Sequence, residues 1–250
     1  MEILITNDDG IYAEGIYALA TALKKLGNIT VVAPDAQRSA VGHAITIVDP
    51  LRVNKARRNG RFFGYAASGT PADCVKLAIK TLMKKKPDLV VSGINLGANI
   101  GYNILYSGTV SGATEGALLG IPSLAISLDT FTKPDFSAAA AFSVKIAASM
   151  KKRRLPAGTL LNVNVPAIKA SKIKGVRVTS QSRTSFNDWF DKRKDPHGQT
   201  YYWMDGDFKP KDSDAASDLN AVKAGYISVT PIQFDLTDYK FITTLDTWKL

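Results

Sequence analysis

The chain opens Met1-Glu-Ile-Leu-Ile-Thr-Asn-Asp-Asp-Gly10. Ile3, Leu4 and Ile5 form an apolar run with no polar break, as expected of a strand buried on both faces at the centre of a parallel sheet. The run stops at Asn7, Asp8, Asp9 and Gly10. In open α/β sheets ligands bind outside the carboxyl ends of the strands, so two adjacent carboxylates stand where chemistry is usually done. Like charges at a half-buried strand end repel, and a cation, a proton or a helix N-terminus has to offset them. The competing reading is a plain turn, because Asn, Asp and Gly dominate turns and Asp caps helices.

Working outward, the same pattern recurs. Residues 11–26 read as a helix with Ile16, Leu19, Ala20 and Leu23 on one face and Gly27 as its stop, and residues 28–33 as a second buried strand running into Pro34-Asp-Ala-Gln-Arg-Ser39. This is a βαβ unit. Residues 44–48 and 61–66 have the character of paired strands, joined by a basic loop at 53–60. Thr70 as N-cap, Pro71 at the first helical position and Asp73 in the first turn start a helix that runs to about Met83. Residues 87–92 are a further buried strand, discharging into Gly93-Ile-Asn-Leu-Gly-Ala-Asn99. A helix opens at Ser107 and ends near Gly120, a strand follows at 121–127, an alanine-rich helix at 136–150, and residues 159–165 (TLLNVNV) close the core. Strands alternating with helices predict a three-layer α/β/α, Rossmann-like fold with a mostly parallel sheet and a C-terminal β-rich arm.

The expected division is an α/β catalytic core at 1–180 and a C-terminal extension at 181–250. Phe186, Trp189, Phe190, Tyr201, Tyr202 and Trp203 crowd into 181–210 without a helical period. A monomeric arm would leave such rings in water, so packing on another subunit is expected, the alternative being that the arm folds back over its own core. Residues 218–223 then lead into a last strand at 225–230.

Composition narrows the function. The formal net charge of +10 makes phosphorylated or polyanionic partners plausible. Yet the basic clusters at 55–58, 84–86, 151–154 and 169–174 are scattered and lack interleaved aromatics, so solvated surface is the expected role and no stable nucleic-acid complex is expected. No secretory signal opens the chain and no apolar stretch reaches membrane-spanning length, which leads to the expectation of a cytoplasmic protein without membrane contact. Cys74 is the single cysteine and falls on the apolar side of a helix, as a structural thiol. The G-x-G-x-x-G dinucleotide fingerprint does not follow the first strand, and neither a P-loop nor a G-x-S-x-G elbow occurs.

Parallel strands bring their carboxyl ends to one edge, so Asp8 and Asp9, residues 35–39, Asn95 and Asn99 should converge. Their carboxylate, amide and hydroxyl oxygens suit magnesium, manganese or calcium, and His43 and His197 are too few for a histidine-rich site. Ser107-Gly108-Thr109 places two hydroxyls and successive N–H groups at a helix N-terminus, a receptor for phosphate that needs no lysine. Glu115 lies deep in that helix, where an internal hydrogen bond or ion pair is expected, and His43 reads as a polar loop residue near the pocket.

Five ordered blocks, residues 3–10, 33–39, 69–74, 92–99 and 106–116, together with the closing Ala224-Gly-Tyr-Ile-Ser-Val-Thr-Pro231, resemble the survival protein SurE family across nearly the whole chain. The resemblance implies a metal-dependent phosphomonoesterase acting on nucleoside 5′- and 3′-monophosphates, with exopolyphosphatase activity in some members. It implies one divalent ion per subunit, Mg2+ or Mn2+, held by Asp8, Asp9, Ser39 and Asn95, with Asp8 and Asp9 catalytic. Asn99, Ser107, Gly108 and Thr109 would surround the phosphate. A homodimer or homotetramer that exchanges C-terminal arms is also implied. Rival readings are a noncatalytic nucleotide sensor and a basic nucleic-acid-binding module.

Overall fold

The computed structural model describes residues 1–132, 134–184, 187–207 and 212–248. Phe186 of the aromatic segment lies outside them. In chain order the elements are β1 (Glu2–Thr6), α1 (Glu14–Leu23), β2 (Asn28–Pro34), β3 (Val53–Arg58), β4 (Arg61–Ala67), α2 (Pro71–Leu77), β5 (Leu89–Leu96), α3 (Asn103–Tyr106), α4 (Gly108–Leu118), β6 (Ser123–Asp129), α5 (Ser137–Lys152), β7 (Thr159–Pro166), β8 (Val176–Val178), β9 (Asn187–Lys194), β10 (Thr200–Asp207), α6 (Asp218–Lys223), β11 (Ile227–Gln233) and α7 (Tyr239–Leu245).

Nine strands form one sheet in the order β3-β4-β2-β1-β5-β6-β7-β11-β8. From β4 to β7 every neighbouring pair is parallel, while β3 runs antiparallel to β4 and β11 antiparallel to β7. Strand β1 is central because its side chains alternate between two dry faces. Ile3 and Ile5 pack with Ile16, Leu19 and Leu23 of α1 and Ala139 and Ala147 of α5. Leu4 faces the other way, with Val32, Val90 and the α2 residues Cys74 and Val75. The chain leaves β1 toward β2 on one side and returns at β5 on the other, so the strand order reverses between β1 and β5. That crevice is where an open α/β sheet binds its ligand.

Helix α4 sits unusually close to the sheet because three of its residues on one stripe are glycine. A Cβ on Gly108 would stand 2.7 Å from Asp8 Cβ, on Gly112 2.8 Å from Thr6 Cγ2, and on Gly116 2.8 Å from Val90 Cβ. Between them, Val110, Ala113 and Ala117 pack on Ala125 and Leu160.

Several expectations need correction. The first helix starts at Glu14 rather than residue 11, because the Ile11 N–H is committed to Pro34 O and carries the chain across the end of β2 first. Residues 44–48 are not a strand. Thr46 gives its N–H and hydroxyl to the Asp73 carboxylate, and Ala44 O accepts from Thr70 Oγ1, so this segment's polar groups bond to the start of α2 instead of a ladder. The strand is β3, within the stretch expected to be a basic loop. It pairs with β4 through the two-residue turn Asn59-Gly60, both in the left-handed region (φ 50° and 75°) as a type I′ hairpin requires. Arg58 accordingly is not merely solvated: its guanidinium lies 4.1 Å from the centre of the Tyr17 ring and pairs with Glu14. Beyond β7 the sheet continues with β11, the late strand expected at 225–230, and with β8, which no sequence pattern announced.

The capping box of α2 forms as read, with the Thr70 side chain accepting from Asp73 N, and Cys74 is fully buried. Residues 187–207 form a separate antiparallel hairpin, β9 with β10, whose Phe190 and Trp203 are 65% and 59% exposed. No helix among the described residues is long and apolar enough to cross a membrane.

Gly116→Ala tests the seating of α4. Alanine is the better helix former by about 1 kcal/mol. The added methyl nevertheless has to displace Ser123 Oγ and Val90, so the variant is expected to lose about 1–3 kcal/mol of stability in urea denaturation.

Candidate active site

At the β1/β5 crevice the turn after β1 is held in shape by its own residues. The Asn7 side chain donates to Gly10 O (3.0 Å), Gly10 takes φ +96°, and Arg38 N donates to Asp8 O (2.7 Å). That last bond docks the loop carrying Ser39 onto the acidic turn. Asp8 is buried, and the Thr109 hydroxyl at the start of α4 donates to its Oδ1. Burial pushes the Asp8 carboxyl above its ordinary value, while the Thr109 hydroxyl and the backbone at Thr109 and Gly108 pull it back. Asp9 is half-buried, and burial together with the neighbouring Asp8 charge raises its carboxyl to about 6, partly offset by the backbone of Leu96.

Ser107 is the N-cap of α4, its hydroxyl accepting from Val110 N (3.0 Å). The Asp8 and Thr109 side chains therefore meet directly, and Gly108 lies against them because it has no side chain. Asp9 reaches Leu96, the residue after Asn95, whereas the half-buried Asn95 amide donates to Gly97 O (2.8 Å). Ser39 is exposed, its hydroxyl accepting from Gln37 Nε2 (2.9 Å). Asn99 is buried farther along the edge: its Nδ2 donates to Ser127 Oγ (2.8 Å) and its backbone bonds to Asn162 and Asn164 of β7. All eight expected residues lie toward the carboxyl-end edge of the sheet: Asn95 in the last residues of β5, the others in the loops that follow the strands or at the adjoining start of α4. Ser39 and Asn95 bond to Gln37 and Gly97 rather than to the aspartates.

The Asn162, Asn164 and Ser127 contacts escape a motif search, although a signal for two of them exists. Asparagines two apart among valines in TLLNVNV break the apolar run of a strand expected to be buried on both faces. Glu115 makes the internal ion pair expected of it, to Lys76 Nζ (2.7 Å) and His43 Nε2 (2.9 Å). Burial raises its carboxyl, but these two partners outweigh that and hold it below the ordinary range.

Among the described residues no three His, Cys, Asp or Glu side chains converge as a metal cluster. The site offers instead two carboxylates whose ionised forms disfavour each other, flanked by neutral oxygen donors. That donor set fits a hard divalent cation, which takes carboxylates along with amide, hydroxyl and water oxygens. Two concavities of about 380 and 310 Å³ lie at the opposite, amino-end edge of the sheet, beside Lys84 and Lys85 and beside Lys151 and Arg154. None of the eight residues lines them, and the chemistry is better located by the paired acids than by cavity size.

A family model described as survival protein SurE matches residues 3–188. Among curated proteins the chain is similar to the 5′-nucleotidase SurE of Syntrophobacter fumaroxidans, 53% identical with all of both chains covered. It is likewise similar to that of Natranaerobius thermophilus, 49% identical over 100% of this chain and 99% of the other. Among solved structures, the crystal structure of a SurE protein from Aquifex aeolicus superposes with a TM-score of 0.87 at 41% identity, covering all of both chains.

The raised Asp9 carboxyl gives a pH signature. Because its folded value of about 6 stands above the ordinary 3.8, its stabilising effect is present below about pH 4 and lost as the pH rises through 6. In cation-free buffer Asp9→Asn should match the wild type at pH 4 and exceed it by about 1–2 kcal/mol at pH 7.5, allowing for solvent screening. Thermal unfolding across this range reads the difference; equal gaps at both pH values would contradict it.

Proposed function

The chain belongs to the survival protein SurE family, and from that premise we propose that it is a 5′-nucleotidase, hydrolysing nucleoside monophosphates to nucleoside and phosphate. Nucleoside 3′-monophosphates and the terminal phosphate of short polyphosphate are further substrates in this reading. The observation that carries it is the direct contact of the Asp8 carboxylate with Thr109 at the N-terminus of α4. An acid pair thereby abuts a cradle of N–H groups and hydroxyls.

Asp8, Asp9, Ser39 and Asn95 would hold one divalent cation per subunit, Mg2+ or Mn2+. When bound, such a cation neutralises charge at a phosphate oxygen and lowers the pKa of an attacking water. The chain supplies the rest. Ser107 can donate its hydroxyl to the phosphoryl group while its oxygen accepts from Val110 N, and Gly108 and Thr109, whose donors are turned to the Asp8 carboxylate, would border the phosphate at the start of α4, where fixed dipoles favour the charge that develops in transfer. The Asn99 amide has a second N–H beyond the one given to Ser127, available to a phosphate oxygen. Asp8 is already engaged by Thr109, which leaves the half-exposed Asp9 as the carboxylate open to accept the water's proton. That engagement also argues against Asp8 as a nucleophile, a route that would leave an aspartyl-phosphate.

The exposed rings of the β9–β10 hairpin support a role for residues 181–250 as an arm exchanged within a homodimer or homotetramer. The function is assigned to the cytoplasm, without membrane or stable nucleic-acid partners.

A phosphate-release panel of mononucleotides and polyphosphate, run with Mg2+, with Mn2+ and after chelation, tests this. Turnover should require the cation, and Asp9→Ala should lower it by about 10²–10⁴-fold while the protein stays folded. Full activity in that variant would remove Asp9 from the site, and trapping phosphorylated Asp8 after a rapid quench would replace the water route. Salt-dependent DNA or RNA binding without phosphate release would favour the basic binding module instead.

A further inference from the structure

We propose that Asn164 and Asn162 of β7, with Ser127 of β6, are positioning residues that clamp Asn99 for phosphate binding, an inference that rests on the assignment of Asn99 to phosphate. The Asn99 N–H donates to Asn164 Oδ1 at 2.8 Å, and Asn164 Nδ2 donates back to Asn99 O at 3.1 Å. One side-chain amide thus satisfies both backbone groups of a single residue, as a neighbouring strand would. Asn162 Nδ2 adds a bond to the same carbonyl at 2.7 Å, and the Asn99 side chain is turned by its bond to Ser127 Oγ at 2.8 Å. The register explains the convergence: Asn164 lies beside Ser127 across the β6/β7 pair, and Asn162 is two residues back on the same face.

These side chains are costly as mere filling. Ser127, Asn162 and Asn164 are fully buried, and Asn162 Oδ1 has no hydrogen-bond partner among the described residues. An unsatisfied buried acceptor costs about 1–3 kcal/mol, which an apolar residue at a strand position flanked by Leu161 and Val163 would avoid. What the amides provide is a fixed backbone at residue 99 in a loop with no regular structure of its own. The far end of the loop is tied as well, Gly101 N donating to the buried Asp218 carboxylate at 3.1 Å.

Asn164→Asp keeps the acceptor for Asn99 N–H and removes the donor to Asn99 O without changing the shape of the side chain. In the Mn2+-loaded full-length protein it should raise KM for AMP, and the dissociation constant of inorganic phosphate read by calorimetry, by about 10- to 100-fold, because small misplacements of a binding group cost that much. The affinity for Mn2+ should stay within about twofold and kcat should fall far less than KM rises, a split that general loosening would not produce. A folded Asn164→Asp protein with wild-type KM and phosphate affinity overturns the proposal, as does one that loses Mn2+ in parallel. If Asn164→Asp does not fold, Ser127→Ala, which removes only the acceptor for the Asn99 amide, decides by the same two measurements. Should the wild type release no phosphate from AMP, the nucleotidase reading fails, while phosphate calorimetry still judges the clamp.

Discussion

The structure depends on the closeness of one helix end to one turn. Asp8 leaves the central strand and meets the first residues of α4 with no side chain between them, because residue 108 is glycine. The helix reaches that position only because Gly112 and Gly116 let its stripe lie against Thr6 and Val90. A helix standing farther off, as one with ordinary side chains would, could still cover the sheet but would carry its N-terminal N–H groups away from the carboxylate. The packing of the core and the making of the site are therefore one geometric requirement.

That closeness carries an electrostatic penalty. Two acids sit side by side, one buried and one half-buried, and both are pushed toward their neutral forms by loss of water. The start of α4 offsets part of this at Asp8, through the Thr109 hydroxyl and the local backbone, while Asp9 has only the backbone of Leu96 to set against burial and the Asp8 charge. Two acids so placed disfavour each other's ionisation, and this imbalance is what supports the proposed cation site. Elsewhere in the fold buried acids are paired more fully: Glu115 with Lys76 and His43, and Asp73 with Thr46 and Thr70. The contrast between satisfied and unsatisfied carboxylates separates groups that hold the fold from groups available for chemistry.

A second device of the fold is a buried polar seam between the sheet and the loops at its edge. Strands β6 and β7 present Ser127, Asn162 and Asn164 to the loop that carries Asn99, and Asp218 of α6 receives Gly101 and Ser182 N–H groups. Because Ser182 lies in the stretch leading to the hairpin, the loop beside the α4 cradle and the root of the arm share a single buried carboxylate. The C-terminal residues are thus structural partners of the site as well as an extension, and β11 fills its place in the sheet between β7 and β8.

The sequence by itself determined the order of the core strands and helices outside residues 44–60, the parallel core, the acidic turn after β1 and the helix start at Ser107, because each is written in local pattern: unbroken apolar runs and capping residues. It misassigned residues 44–48, whose β-branched side chains suit a strand but whose backbone is claimed by Asp73. It also passed over β3, although Asn59-Gly60 announces a hairpin. Only the tertiary structure decided that Asp8 meets Thr109, 101 residues away in sequence, and that Asn99 is gripped from β7, 63 and 65 residues on. The reason is physical: a local pattern reports the face a residue shows, whereas the partner on that face is chosen by sheet order and by how closely a helix can approach.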